Sequence, residues 1–361
     1  MAGPARPTLA RVAERAGVSV STASLAFSGA GPISPETRDR VLRAADELGY
    51  TGPNPLGRQL RSGRSGIVGV VIGDQLKRSF RDPVAVQVLD GLVSTLGAHG
   101  LGVLLIPGIP GHDPASRVVD PLIETAAMDV GVLVWGVGRQ DPTLDAFQRR
   151  GVPVVIGEGR LVPGAPAVTL DDRVGTAQVV QHLVDLGHER VAEISLPLDS
   201  SGAQGPVDAA RLAQVDRTPT ANRLAGVRDA VDPVVTWETE ASLVEHGKTA
   251  ALALLSAPDR PTAIVAHSDL LAGGAVLAAH ELGLDVPGDV SVAGFDGLDL
   301  PWLAPTVLTT VRQPLAEKGE RLGEAVIGLL AGEAPEEVRL PVELSVGTTT
   351  GPPARQSRTT A

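Results

Sequence analysis

From Gly66 onward the chain alternates short apolar runs with amphipathic stretches, and that alternation leaves few folds open. The runs GIVGVVIG, LGVLLIPG, VGVLVWG, VPVVIG, RVAEISL, TAIVAHSD and VSVAGF are rich in Val and Ile, and helical patterns such as QVVQHLVDLGH and LLAGGAVLAAHELG follow most of them. Strands that are apolar throughout and spaced by helices form parallel sheets covered on both faces, a doubly wound α/β arrangement. The Gly- and Pro-rich pause GEGRLVPGAPAV, near 157–168, predicts two similar lobes. The first spans about 67–160 and the second about 166–295, with later segments crossing between them. A ligand in such a body sits between the lobes, at the carboxyl ends of the strands.

The first fifty residues read differently. Thr8 is an N-cap, and Leu9, Val12, Ala13 and Ala16 recur on one helical face that Gly17 ends. Ser19 caps a second helix running from Val20 to about Phe27. Ser34 and Pro35 open a third, which carries Val41, Leu42, Ala45 and Leu48 and stops at Gly49. Three short helices with a tight Gly turn between the first two make a helix-turn-helix. On the second helix Ala23, Ala26 and Phe27 face inward, while Ser19, Ser21, Thr22 and Ser24 leave a small polar outer face suited to base edges and phosphates. Spacing alone also fits a small helical bundle whose Ser-rich face is incidental.

Between head and body lies TGPNPLGRQLRSGRSG, residues 51–66. Asn54-Pro55 is a helix-start signal, and Leu56, Gln59 and Leu60 share one face of a two-turn helix that is marginal alone. Leu60 has no core to enter and stands among Arg58, Arg61 and Arg64. A leucine set among arginines suits insertion into a DNA minor groove with the arginines on phosphate. A plain tether fits as well.

Charge divides along the same line. Residues 1–66 hold nine Arg against five Asp+Glu, a net +4, whereas the remainder holds 22 Lys+Arg against 37 Asp+Glu, a net −15. A basic head on an acidic body is expected where only the head meets nucleic acid. The chain has no Cys, which excludes disulfides and thiolate metal sites. The opening MAGPARPTLARVAERAG lacks an apolar signal core, and no run approaches the about 18–20 apolar residues of a membrane span, so a soluble cytoplasmic protein is expected.

The body shows little chemistry. It has no phosphate-binding glycine loop and no nucleophile elbow, its seven His are scattered, and neither a metal nor a cofactor is expected. His182 and His188 lie on or just after a helix and read as structural. Glu158, Asp269 and Asp296 stand at strand ends and Arg223 opens a helix. Carboxylates and an arginine converging on a cleft grip hydroxyls bidentately, which describes a ligand clamp with no visible reaction.

The head TLARVAERAGVSVSTASLAFSG…ISPETRDRVLRAADELGY resembles the DNA-binding domain of the lactose-repressor (LacI/GalR) family, and PNPLGRQLRSGRSG resembles its hinge helix. HLVDLGHERVAEIS, NRLAGVRDA, AIVAHSDLLAGGAVLAAHELGLDVPGDVSVAGFDG, LTTVRQPLAEKGERLGEAVIGLL and LPVELSVGTTTGPP follow the family pattern in order, so the likeness runs from residue 8 to about 351. It implies an all-α helix-turn-helix head (6–51), a hinge (52–66) and a two-lobed, periplasmic-binding-protein-like α/β body (67–351), with 352–361 a disordered tail. Carried over by position, Ser19, Val20, Ser21, Thr22, Ser24 and Leu25 match the DNA-contacting stretch, with Val20, Ser21 and Leu25 as base readers. Leu60 matches the leucine that wedges into the centre of a pseudo-palindromic operator, and Thr8, Asn54 and Arg58 complete the expected DNA-contacting set. Trp135, Glu158, Arg223, Asp269, Asp296 and Leu315 fall on effector-binding positions.

Four departures bear on specificity. Leu25 stands where most members carry Arg, Ser268 replaces the Asn of an Asn-Asp pair, Gly297 replaces the second Asp of Gly-Phe-Asp-Asp, and Gly52 adds a residue before the hinge. A leucine at position 25 makes only apolar contact, for example with a thymine methyl, so a departure from the usual operator is expected there. No heptad segment closes the body, which implies a homodimer rather than a tetramer. The resemblance therefore implies a regulator, a repressor rather than an activator, controlled by a sugar-like effector. Two other readings fit the two-lobed body but not the whole chain. A transport solute-binding protein leaves residues 8–50 unexplained, and a sugar enzyme lacks a nucleophile, metal cluster or phosphate loop.

Overall fold

The computed structural model describes residues 7–28, 31–52, 63–73, 76–108, 119–135, 138 and 142–354. The expected contacts Asn54, Arg58 and Leu60, and tail residues 355–361, lie outside them. Residues 1–65 and 66–361 form two compact units.

In the first unit, α1 (Leu9–Ala16), α2 (Val20–Ser28) and α3 (Pro35–Glu47) form where their caps place them. Thr8 Oγ1 accepts the Arg11 amide at 3.4 Å, Ser19 Oγ the Thr22 amide at 3.1 Å and Ser34 Oγ the Thr37 amide at 3.2 Å. Gly17, at φ 63°, turns the chain left-handed, so that Val18 N reaches Ala13 O and Gly17 N reaches Glu14 O. The core is built from small residues: Val12, Ala13 and Ala16 of α1, Ala23 and Ala26 of α2, and Val41, Ala44 and Ala45 of α3. Alanines let the three helices approach closely, and Phe27 meets Tyr50 edge-on at 5.5 Å to close one side.

The second unit has two sheets. The first runs β12 (Glu337–Leu340), β5 (Ala167–Leu170), β4 (Val154–Gly157), β3 (Val130–Leu133), β1 (Ile67–Ile72), β2 (Gly102–Pro107), all parallel. The second runs β13 (Glu343–Ser345), β11 (Thr309–Arg312), β10 (Ser291–Asp296), β9 (Ala263–Ala266), β6 (Val191–Ser195), β8 (Val235–Glu238), β7 (Gly205–Pro206), with β13 and β7 antiparallel at its edges. β6 and β9 are buried throughout, as strands covered on both faces must be.

One expected boundary moves. The sequence predicts the second lobe from about residue 166, but β5 pairs with β4 and β12 in the first sheet, so the chain leaves that lobe only after Leu170. Val168 and Leu170 are buried, and β5 sits beside β4, so the Gly/Pro pause between them is a connection inside the first lobe and not a boundary. The chain crosses back near residue 313 to add the helix Leu315–Ala331 and β12, and crosses again into β13. Leu315–Ala331 lies tight on Pro83–Ala98 because glycines line the crossing. A Cβ on Gly319 would sit 2.1 Å from Val88 O, and one on Gly91 2.3 Å from Ala316 O. His182 and His188 prove structural: His182 Nε2 meets Thr350 Oγ1 at 2.9 Å, and His188 meets Thr262, Ser291 and the Gly351 carbonyl, pinning the closing segment to the second lobe.

Candidate DNA-reading face and effector cleft

On α2 the buried Ala23 and Ala26 turn the opposite side outward. Ser19, Val20 and Ser21 are exposed, Val20 at 50%, while Thr22, Ser24 and Leu25 are half-buried. Ser19 Oγ lies 2.8 Å from both Ser21 Oγ and Thr22 Oγ1, so three hydroxyls form one cluster at the positive end of the helix. Arg11, Arg15, Arg38, Arg40 and Arg43 are exposed on the same unit. Leu25 folds toward Gly31, where a side chain would start 3.1 Å from Leu25 Cδ2, so only part of it is available to a partner.

In the body the expected effector residues collect where strands end. Glu158 follows β4 and Asp296 closes β10; both are non-glycine residues at positive φ, 49° and 130°. Such backbones cost about 1–3 kcal/mol and persist where surrounding structure enforces them, characteristically at ligand sites. Glu158 Oε2 lies 2.8 Å from Lys318 Nζ, which also reaches Gln313 Oε1 at 3.4 Å. Gln313 Nε2 donates to Asp296 Oδ1 at 2.7 Å, and Asp296 Oδ1 stands 3.6 Å from Arg223 Nη1. Arg223 Nε donates to Asp172 Oδ1 at 2.9 Å, Nη1 donates to the His267 carbonyl, and the guanidinium lies 3.7 Å over the Phe295 ring. A continuous polar relay thus runs from the first lobe into the second, and every charged member is at most 4% exposed.

Burial dominates the electrostatics. It pushes the Asp172 carboxyl up to about 6 although Arg223 pulls it down, and pushes Asp269 up to about 6 against its hydrogen bonds from Thr310 and the 297–298 loop. It also drives Asp296 well up, with Asp269 adding repulsion and Arg223 opposing. For Arg223, burial opposes the charge, and Asp172 and Asp296 outweigh it. Behind the relay, burial lowers the His267 imidazole even though its Nε2 contacts Glu193 Oε1 at 2.9 Å.

The structure brings Glu158, Arg223 and Asp296 together but gives Asp269 to the scaffold. Asp269 is fully buried, and its oxygens take the Leu298 amide at 2.7 Å and the Thr310 hydroxyl at 2.6 Å. Trp135 is half-buried after β3, and Leu315 is 5% exposed in the main apolar core. Ser268 caps the helix Asp269–Glu281 through the Leu271 amide, and Gly297 needs its missing side chain because a Cβ would meet Arg312 Cγ at 2.6 Å. Sequence reasoning missed Asp172, Gln313 and Lys318. Asp172 reads as an ordinary first-turn acid, whereas Lys318 carried a signal: it sits on the apolar stripe with Leu315 and Leu322. A crevice of about 550 Å³, within the range of small-molecule sites, opens beside the relay. It is lined by Gly159 and Thr169 of the first lobe and Asp172, Arg217 and Asn222 of the second.

Comparison with known proteins fits both halves. The family described as bacterial regulatory proteins, lacI family, matches residues 8–54, and a periplasmic binding protein-like domain matches 180–350. An HTH-type transcriptional regulator of Mycobacterium tuberculosis is 35% identical over 97% of this chain and 98% of its own. The Escherichia coli transcriptional repressor CytR is 31% identical over 90% of this chain and 89% of its own. A solved complex of the regulator CelR with cellobiose superposes with a TM-score of 0.66 at 27% identity, covering 95% of this chain and all of that one. With its head, its two lobes and nearly its whole length matched in this way, the chain belongs to the LacI family of bacterial regulatory proteins and is a DNA-binding transcriptional regulator rather than an enzyme.

Proposed function

We propose that the chain acts in the cytoplasm as a homodimeric repressor whose hold on a pseudo-palindromic operator is set by a sugar-like effector between the lobes. The observation that carries this reading is the buried relay Glu158–Lys318–Gln313–Asp296–Arg223–Asp172, which joins the lobes at their strand ends. A molecule that exchanges its hydroxyls into the relay changes what each lobe contacts and so shifts the population of lobe arrangements. Coupling of this kind is worth about 1–3 kcal/mol. The cellobiose complex of CelR supports a sugar-like occupant.

In this reading the head is 6–51, the hinge 52–66 and the body 67–351. Ser19, Val20, Ser21, Thr22, Ser24 and Leu25 meet the major groove, and Leu60 meets the minor groove with Arg58 on phosphate. Thr8 and Asn54 serve as flanking contacts. Pairing of two bodies is supported by large apolar side chains exposed on the first lobe, Phe80, Val86 and Val93, at 57%, 45% and 45%. Val86 and Val93 lie two turns apart on one face of Pro83–Ala98. Leu60→Ala tests the DNA half of the reading. Binding to the operator that the chain itself selects drops strongly, while binding to random duplex changes little. Equal loss on both counts against the wedge.

A further inference from the structure

Two lobes joined by a few chain crossings can part, and whatever bridges the gap between them sets how often they do. Among the described residues, Arg78, Arg81 and Arg217 bridge it away from the relay. Arg78 lies in the short helix Leu76–Ser79 after β1 and pairs with Glu240 of the second lobe, both partly buried. Close by in the chain, Arg81 Nη2 meets Glu245 Oε1 at 2.7 Å, in the first turn of the second-lobe helix Val244–Leu255. From the other side Arg217 reaches back, its guanidinium donating at 3.4 Å to the carbonyl of Gly73, which follows β1. Beside it Asp216 packs on Gly138, where a Cβ would start 2.0 Å from Asp216 Oδ2. The second-lobe side of this bridge is firmly held. Arg217 closes the excursion 196–217 between β6 and the helix Thr218–Ala230. Within that excursion Arg211 meets Asp199 at 2.6 Å and Glu238, at the end of β8, at 2.7 Å. Its hydrogen bonds hold the Asp199 carboxyl well below the usual carboxylate range.

An ion pair inside one lobe adds to packing that is already fixed. A pair between lobes exists only while the lobes are together, so all of its free energy goes into the closed population. We propose that Arg78, Arg81 and Arg217 form an ionic clasp at the rim of the body, which holds the lobes together before any effector arrives and loosens as ionic strength rises. The clasp needs no occupant of the cleft. Its acceptors are Glu240, Glu245 and a backbone carbonyl, none of them in the relay. Burial ranks its members. Arg81 and Glu245 are each about half exposed, so water and salt screen them. Arg78 and Glu240 are 20% and 32% exposed, screening reaches them less, and Arg78 is the principal member. Pairs of this exposure shift an equilibrium by up to about fivefold each. An effector therefore tunes a population of lobe arrangements that the chain has already biased toward closure.

The test reads the separation of the lobes in the full chain, with neither DNA nor effector present. The chain has no Cys, so Arg149→Cys on the first lobe and Ser256→Cys on the second, both exposed and outside the clasp, are the only positions that take a spin label. Labelled chain is diluted into an excess of unlabelled chain, and pulsed dipolar spectroscopy then reports distances within one protomer. One population is expected to dominate at about 0.03 M salt, and a second, of different separation, to grow by about fivefold or more at about 0.5 M. Arg78→Glu is expected to raise that second population at low salt, and Glu240→Arg in the same chain to return it to its former level, because the exchange rebuilds the pair. A distribution that ignores salt, ignores Arg78→Glu, or is not restored by the exchange overturns the clasp. Should Arg78→Glu fail to fold, Arg81→Ala combined with Arg217→Gln must raise the second population with the unfolding transition unchanged, and no rise overturns the clasp. Because the measurement involves no ligand, a negative result leaves the regulator reading standing.

Discussion

Arg223 carries the largest predictable energy in the body. Its guanidinium is 4% exposed, bonded to Asp172, close to Asp296 and stacked on Phe295. Arg223→Met keeps much of the packing volume but leaves two buried carboxylates without their cation. Removing one partner of a buried pair costs about 3–5 kcal/mol, and the lost ring contact, about 2 kcal/mol when desolvated, is contained in that figure rather than added to it. With a urea slope of about 3 kcal/mol per molar, the unfolding midpoint at pH 7 drops by about 1–1.7 M. Trp135, Trp237 and Trp302 all lie in the body, so their fluorescence follows this transition. The pH dependence is the sharper part. Burial already makes Asp172 and Asp296 ionise less readily in the folded state, and loss of Arg223, which opposes that shift, makes them still harder to ionise. The folded variant then holds protons that the unfolded chain releases, and its stability rises as pH falls from 7 to 5. The deficit relative to the unsubstituted chain therefore shrinks over that range. A deficit below about 1 kcal/mol, or one equal at pH 5 and pH 7, would refute the assignment of a charge-bearing relay.

The unsubstituted body follows the same sign. Burial pushes Asp172 and Asp269 up to about 6, so each contributes a loss of stability as pH rises from about 4 through 6, and Asp172→Asn flattens that slope in the same urea assay. Gly319→Val places atoms against the Val88 carbonyl and destabilises the first lobe by about 1–3 kcal/mol or more, visible in hydrogen exchange of Pro83–Ala98. Thr8→Ala removes the α1 cap and lowers head stability by about 0.5–2 kcal/mol, measured by exchange of the α1 amides, with the body unchanged. Leu25→Arg supplies a bidentate donor and introduces a guanine preference at one symmetric pair of operator positions, read by sequencing selected fragments.

Much of this is legible in the sequence. Thr8, Gly17, Ser19, Ser34 and Pro35 mark the head helices because capping is local chemistry, and the caps form as read. The strand-helix alternation gave the body its class for a similar reason, since strands buried on both faces must be apolar throughout. Glu158, Arg223 and Asp296 stand out in the sequence because each is a charged side chain at a strand end or helix opening, and the structure brings the three into one relay. What escaped depends on which partner each segment finds in the fold. β5 pairs with β4 directly across the Gly- and Pro-rich pause, so that pause is a turn within one lobe, and Glu337–Leu340 then adds to the far edge of β5. Asp269 looks like a contact until Thr310 and Leu298 take both its oxygens. Lys318 was visible as a lysine on an apolar stripe, yet only the neighbouring Glu158 shows why it is tolerated there.

The central claim is that this head reads sequence and that this body controls the reading. The most direct measurement is selection of genomic DNA fragments by the purified chain at about 0.15 M salt, followed by sequencing. The account predicts recovery of one pseudo-palindromic site upstream of a few genes, with release altered by a sugar-like effector. Recovery of random fragments that modest added salt dissociates would contradict it, because the head would then be holding DNA by charge alone.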